Sequence, residues 1–306
     1  MQTIVAENPV LFVDSYEASA CLQIGGISVS LPVVFPDDTF IPREFAQFES
    51  LRNIPDIEVK VNWCDALMPS SEKPLFDSGA VWRLFREAGD LVFDFTTPAL
   101  GPAPYKQMRV DNGFRQVEIT LSSNLLAERT PIYPLEYPTD ELLITNFLSS
   151  GIGVEVHGCG VIDREGRGYL FLGHSGAGKS TTARLWHSLR KAEVLSDDRI
   201  ILRLHDGELW MYGTPWHGEG AFASANKAKV SGLFVLQHGN DNRFASLSNA
   251  RSVGELFARC FPPFHSANAL ERTVEFLQRA LTAVPAHEFR FTPDSRAIKA
   301  VLGFHD

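Results

Sequence analysis

The chain has 306 residues, 44% of them hydrophobic and 21% charged, with a formal net charge of −9. That composition excludes an intrinsically disordered chain and suits one large domain or two ordinary ones, each able to bury a core. The acidic balance argues against a broad nucleic-acid surface, and the lack of a bilayer-length apolar run or of any basic residue before Arg43 argues against a membrane span or secretory leader.

In chain order, the first part reads as β-rich. Two apolar runs, from Ala20 to Phe35, flank Gly25-Gly26 and predict a hairpin. Residues 57–63 alternate strictly, with Ile57, Val59, Val61 and Trp63 on one face, and predict a half-buried strand. Two more hairpins are predicted around Ala88-Gly89-Asp90 and around Asn112-Gly113, where both residues tolerate positive φ. The expectation is an antiparallel sheet of hairpins with no catalytic constellation of its own. Pro131, Pro134 and Pro138 then mark a boundary. A β-rich N-terminal domain is expected over residues 1–134, serving recognition or interaction, and a nucleotide-binding domain over residues 135–306.

The second part opens with a predicted helix capped by Thr139, with Asp140 and Glu141 at its positive end and Gly151 to stop it. Strands follow at 153–162 and 168–172, then a helix from Lys179, a short strand ending at Asp197-Asp198, and a hairpin through His205-Asp206-Gly207. An apolar strand at 231–237, two amphipathic helices, a strand near residue 288 and a terminal helix capped by Asp294 complete the reading. Cys21, Cys64, Cys159 and Cys260 show neither zinc-ligand nor redox spacing and read as reduced thiols of a cytoplasmic protein.

The segment from Gly173 to Ser180, GHSGAGKS, matches the phosphate-loop pattern Gly-x-x-x-x-Gly-Lys-Ser. A chance match in a chain of this length is roughly a one-in-a-hundred event. An apolar strand enters the loop and a helix-forming segment leaves it, as the chemistry requires. Glycines let backbone amides converge on phosphate oxygens, the lysine reaches the β- and γ-phosphates, the serine hydroxyl ligates Mg²⁺, and the helix adds its positive end. The nucleotide-binding set is therefore Gly173, Ser175, Gly176, Ala177, Gly178, Lys179, Ser180 and Thr181, for ATP with Mg²⁺. Asp197 and Asp198 close a short strand fewer than twenty residues on, where one carboxylate can hold Mg²⁺ and the other can accept a proton. Their strand is expected beside that of the loop. Taken alone, such a pair also suits a surface turn.

Together, the His-Gly strand at His157-Gly158, the Ser-Gly-x-Gly-Lys-Ser loop and the Asp-Asp pair resemble the catalytic domain of the HPr serine kinase/phosphorylase family. They are also similar to the nucleotide-binding core of ATP-dependent phosphoenolpyruvate carboxykinase. The resemblance spans roughly residues 135–306. It implies a P-loop-containing α/β catalytic domain with a mixed sheet, Asp198 as general base, Asp197 on the metal side, and His157 beside the acidic pair. It also admits a homo-oligomer. The Glu-x-Arg-Gly-x-Gly segment of true HPr kinases is absent, and residues 213–220, GTPWHGEG, stand in its place.

Within that segment Glu219 is a candidate to complete the Mg²⁺ site, since hard cations favour carboxylate oxygen, and a plain polar loop is its alternative. His217 lies beside it, but no Cys-x-x-Cys follows, which excludes a zinc deaminase. Lys227 and Lys229 read as solvated lysines or as phosphate contacts from a mobile segment, and Trp186 and His187 as packing residues. The expected activity is transfer of the γ-phosphoryl group of ATP to a hydroxyl, a serine of a protein or peptide or free serine. The alternatives are a non-catalytic ATP-binding regulator and a carboxykinase-like enzyme acting on a small metabolite.

Overall fold

The computed structural model describes residues 18–33, 41–51, 54–128, 132–190 and 192–304. Val34, Phe35, Pro131 and Lys191, which the sequence places in elements or at the boundary, lie outside the described residues. Strands β1 (Ala18–Ile24), β2 (Ile27–Val33), β3 (Glu49–Ser50), β4 (Ile57–Cys64), β5 (Phe76–Asp77), β6 (Trp82–Glu87), β7 (Asp90–Thr97), β8 (Gly101–Val110) and β9 (Gln116–Ser122) form one sheet, ordered β3-β1-β2-β4-β9-β8-β7-β6-β5.

The hairpins at Gly25-Gly26 and Ala88-Gly89 form as expected, with positive φ at all four turn residues. The sheet is mixed, however, not purely antiparallel: β4 runs parallel to both β2 and β9. Its alternation announces a strand but says nothing of its partners, and a parallel pairing needs the long connections found on either side. At the β8–β9 turn, positive φ falls on Phe114 (54°), not on Asn112 or Gly113. The Asp111 carboxylate makes that turn by accepting the N–H groups of Gly113, Arg115 and Gln116.

Helices α1 (Ser123–Leu126) and α2 (Thr139–Leu148) lead into the second sheet. It comprises β10 (Gly153–Ile162), β11 (Gly168–Leu172), β12 (Glu193–Ser196), β13 (Arg199–His205), β14 (Glu208–Tyr212), β15 (Lys227–His238), β16 (Arg243–Ser246) and β17 (Ala286–Phe291). Interspersed are α3 (Lys179–Arg190), α4 (Asn249–Phe257), α5 (Ala267–Ala283) and α6 (Ser295–Leu302). Thr139 does not cap α2. The cap position falls one residue earlier, on Pro138, which leaves Thr139 as the first residue of the helix with its hydroxyl buried and unbonded. Asp294 caps α6 as expected, accepting the N–H of Arg296. The sequence did not announce β16, which is four residues long and pairs only with β17.

Every residue of β11 is buried, because helices cover both faces of its sheet. Leu170 and Leu172 pack with Leu256, Phe276 and Leu277 of α4 and α5. Tyr169 and Phe171 face Ala183 and Trp186 of α3 and Ile298 of α6. Trp186 is 1% exposed and its ring lies 5.4 Å from that of Tyr169 and 6.2 Å from that of Phe171. Such a tryptophan holds α3 on the sheet by about 3–5 kcal/mol, the cost of its truncation. It thereby fixes both ends of the loop that joins β11 to α3. A separate core lies on the first sheet, and α2 together with Ile201, Tyr212 and Trp216 packs into it. No helix of the described residues is long and apolar enough to cross a membrane.

Candidate functional site

The loop from Gly173 to Ser180 leaves the buried end of β11 and enters α3 at Lys179. Gly176 and Gly178 adopt φ of 79° and 100°, which glycine alone takes without strain. A methyl group at Gly173 would stand 2.6 Å from the Ala177 side chain, and one at Gly178 2.7 Å from the Phe291 ring. The first-turn amides of α3 have no acceptor within the helix and lie at the loop. Lys179, 6% exposed, folds back into it, its ammonium donating to the carbonyls of Gly173 (2.9 Å) and His174 (3.0 Å). Burial pulls its pKa down, against the charge of Asp198. Ser175 and Thr181 are exposed, and Ala177 and Ser180 half-buried. His238 bonds the Gly176 carbonyl at 2.9 Å.

The acidic strand does not neighbour the loop's strand, as the sequence suggested. Strand β10 lies between them, antiparallel to β11 on one edge and to β12 and β13 on the other. Two antiparallel steps make β12 run the same way as β11, so the acidic pair still emerges on the loop's side. In that register Gly158 faces Leu172, the last residue before the loop, while His157 faces Arg199, the first after the acids. Position 157–158 of β10 is thus the bridge between the two halves of the site. The Ser196 hydroxyl shapes the bend by accepting the N–H groups of Asp198 and Arg199, both at 3.1 Å.

The two aspartates do different things. Asp197, 1% exposed, accepts the N–H of Gly218 (3.0 Å) and of Gly220 (2.8 Å). A methyl at Gly220 would stand 2.6 Å from the same carboxylate, which explains the spaced glycines of GTPWHGEG. Asp198 is half-buried, with Oδ1 2.9 Å from His157 Nε2 and Oδ2 2.5 Å from Arg199 Nη1. The His157 hydrogen bond holds its carboxyl below the usual range, overcoming burial, with Arg199 and Lys179 adding to the effect. Lys179 and Asp198 therefore lie within electrostatic reach of one another.

Sequence reasoning missed the groups that brace this pair. Arg199 Nε lies 2.8 Å from Glu141 of α2 and 3.1 Å from the buried Glu155 of β10, and its guanidinium covers the Phe261 ring at 4.0 Å. Burial first, then Glu141, pushes the Glu155 carboxyl well above its usual range. Arg259, 3% exposed, bonds Glu255 through Nη1, and its Nε is buried without a partner. Its charge bears on Lys179. The Arg259 carbonyl accepts the His157 N–H at 2.7 Å. Only Arg199, as the residue right after two acids, carried a sequence hint.

Other candidates are placed elsewhere. Glu219 is exposed between the two glycines that clasp Asp197. Among the described residues no three His, Cys, Asp or Glu side chains gather into a metal site. A nucleotide-bound Mg²⁺ takes one or two carboxylates and otherwise phosphates and water, so a site of that kind does not call for three such side chains. Lys227 and Lys229 lie in β15, not in a mobile segment: Lys227 covers the rings of Trp210 and Tyr212, and Lys229 pairs with Glu208. His187 packs against Phe222 at 5.4 Å. The four cysteines are free thiols, and burial pushes those of Cys159 and Cys260 up. A scan against protein-family models finds no match, and a search of curated proteins finds none.

Proposed function

We propose that the protein is an ATP-dependent kinase that transfers the γ-phosphoryl group to a hydroxyl, a serine of a protein or peptide or free serine. The reading is supported by one juxtaposition: adjacent residues of β10 join a glycine cradle on a helix N terminus to the acidic pair, Gly158 facing Leu172 before the loop and His157 facing Arg199 after Asp198. In this P-loop reading, Gly173 to Thr181 hold the nucleotide's phosphates, and Lys179 exchanges its two loop carbonyls for phosphate oxygens. Ser180 and Asp197 hold Mg²⁺, which neutralises phosphate charge when bound.

Asp198 accepts the proton of the acceptor hydroxyl as the O–P bond forms, and the bridging P–O bond breaks to release ADP. His157 and Arg199 aim the carboxylate and keep it ionised. A base so stabilised abstracts weakly, which suits a transfer in which positioning and charge neutralisation supply most of the acceleration. Because both Asp198 oxygens are engaged, a second reading is an ATP-binding regulator that transfers nothing. Incubation with γ-labelled ATP, Mg²⁺ and cell lysate separates the two. Transfer by the wild type and its fall by about 10²–10⁴ in Asp198→Asn supports the kinase. Tight ATP binding without transfer to any acceptor supports the regulator.

A further inference from the structure

A cavity of about 730 Å³ opens between the first sheet, the turn at Arg43–Phe48, the start of α2 and the loop bearing Pro215, Trp216 and His217. Its walls carry Glu44, Glu136 and Asp140, and none of the described lining residues is a lysine or arginine. Lys106 lies buried behind, 3.2 Å from Glu136. Among the described residues Glu44, which is exposed, has no salt-bridge partner, whereas both Asp140 oxygens already accept, from the Glu141 N–H and from Trp216 Nε1. Tyr105 and Trp216 supply aromatic wall, the setting in which a desolvated cation gains from ring faces.

A second feature points to a ligand independently of these charges. Tyr133 lines the cavity, is 6% exposed, and its hydroxyl is buried with no hydrogen-bond partner. Burial first, then the charges of Asp140 and Glu44, raises the pKa of that hydroxyl. A buried donor of this kind costs about 1–3 kcal/mol until something accepts from it. A bound chain's carbonyl meets that need.

One wall of the cavity continues along the chain into the loop that clasps Asp197. Trp216 Nε1 donates to Asp140 at 2.8 Å on the cavity side, and two residues on the Gly218 N–H donates to Asp197. His217, between them, lines the cavity. A pocket of this size encloses a ligand of several residues, and free serine would leave most of it empty. We propose that this cavity receives the phosphoryl acceptor, and that the acceptor is a peptide segment with a lysine or arginine close to its target serine. The inference rests on the kinase reading above.

Titration calorimetry of the full chain without nucleotide, using the capped peptide Gly-Arg-Gly-Ser-Gly-Gly and versions with alanine or glutamate in place of arginine, tests it. The arginine peptide is expected to bind about tenfold more tightly than the alanine peptide, and the glutamate peptide more weakly than either. Changing both Glu44→Gln and Glu136→Gln, on exposed and half-exposed side chains, brings the arginine and alanine peptides within about twofold. No binding of any peptide, equal binding of all three, or a preference that survives the double change overturns the proposal. With γ-labelled ATP the arginine peptide is expected to be labelled faster than free serine, and the reverse order overturns the peptide assignment. ATP binding is measured in a separate titration, so its failure ends the kinase reading while the arginine preference is still read on its own.

Discussion

Replacing Asp197 by asparagine tests whether this residue is first a clamp on the 213–220 loop. Its carboxylate accepts Gly218 N–H at 3.0 Å and Gly220 N–H at 2.8 Å in a site only 1% exposed. Asparagine has the same shape but one acceptor oxygen, and its amide nitrogen would confront the second glycine N–H. The change removes one charge-assisted hydrogen bond, about 1.5–3 kcal/mol, and strands a buried donor at about 1–3 kcal/mol more. No cavity term enters, so the sum is about 2.5–6 kcal/mol. At about 2–4 °C per kcal/mol for a chain of this size, melting should fall by roughly 5–24 °C. Thermal unfolding followed by circular dichroism measures this. Gly220→Ala is the companion, because its methyl would stand 2.6 Å from Asp197 and should lower melting with the carboxylate chemically intact. If Asp197→Asn melts within about 1 °C of wild type, the clamp is wrong.

Lys179→Ala is expected to weaken Mg·ATP binding by about 100-fold in calorimetry, equivalent to a charge-assisted contact of ~2.7 kcal/mol, and unchanged affinity would remove the phosphate-loop reading. Gly178→Ala forces a side chain to φ 100° with its methyl 2.7 Å from Phe291, and should cost about 1–3 kcal/mol in chemical denaturation. Burial raises the Asp140 carboxyl from 3.8 to about 7, so its contribution to stability is full below pH 3.8 and is lost as pH rises through about 7. Asp140→Asn keeps an acceptor for Trp216, and its stability relative to wild type should therefore grow between pH 5 and pH 8. A constant difference across that window would contradict the assignment.

What was legible in the sequence was local. Gly25-Gly26 and Asp206-Gly207 announced their turns because positive φ restricts the residue type, and all four residues adopt it. The loop between β11 and α3 was readable because apolar strand, glycines and helix follow one another without interruption. Pairing was not readable: β4 between two parallel neighbours and β10 between β11 and β12 depend on tertiary contacts that no local pattern encodes. Nor were the roles of Gly218 and Gly220 visible, since their reason is a carboxylate more than twenty positions away. Glu141 of α2 and Glu155 of β10 come from separate elements, and nothing in their spacing foretells that both reach the arginine that holds Asp198.

That surround ties the first part of the chain to the chemistry. Asp198 is aimed by Arg199, and Arg199 is held by Glu155 of β10 and by Glu141 of α2. Helix α2 touches β10, but its Leu143, Ile144, Phe147 and Leu148 are buried in the core that lies on the first sheet. The position of Glu141 therefore depends on how the first sheet seats α2, and the position of the Asp198 carboxylate follows from it. Arg199 between two buried acids is costly to displace, because its guanidinium opposes the burial and the Glu141 charge that push the Glu155 carboxyl above its usual range. A displacement of α2 by whatever fills the adjoining cavity would reach Asp198 through this one guanidinium. The first sheet thus has a physical route to the acidic pair.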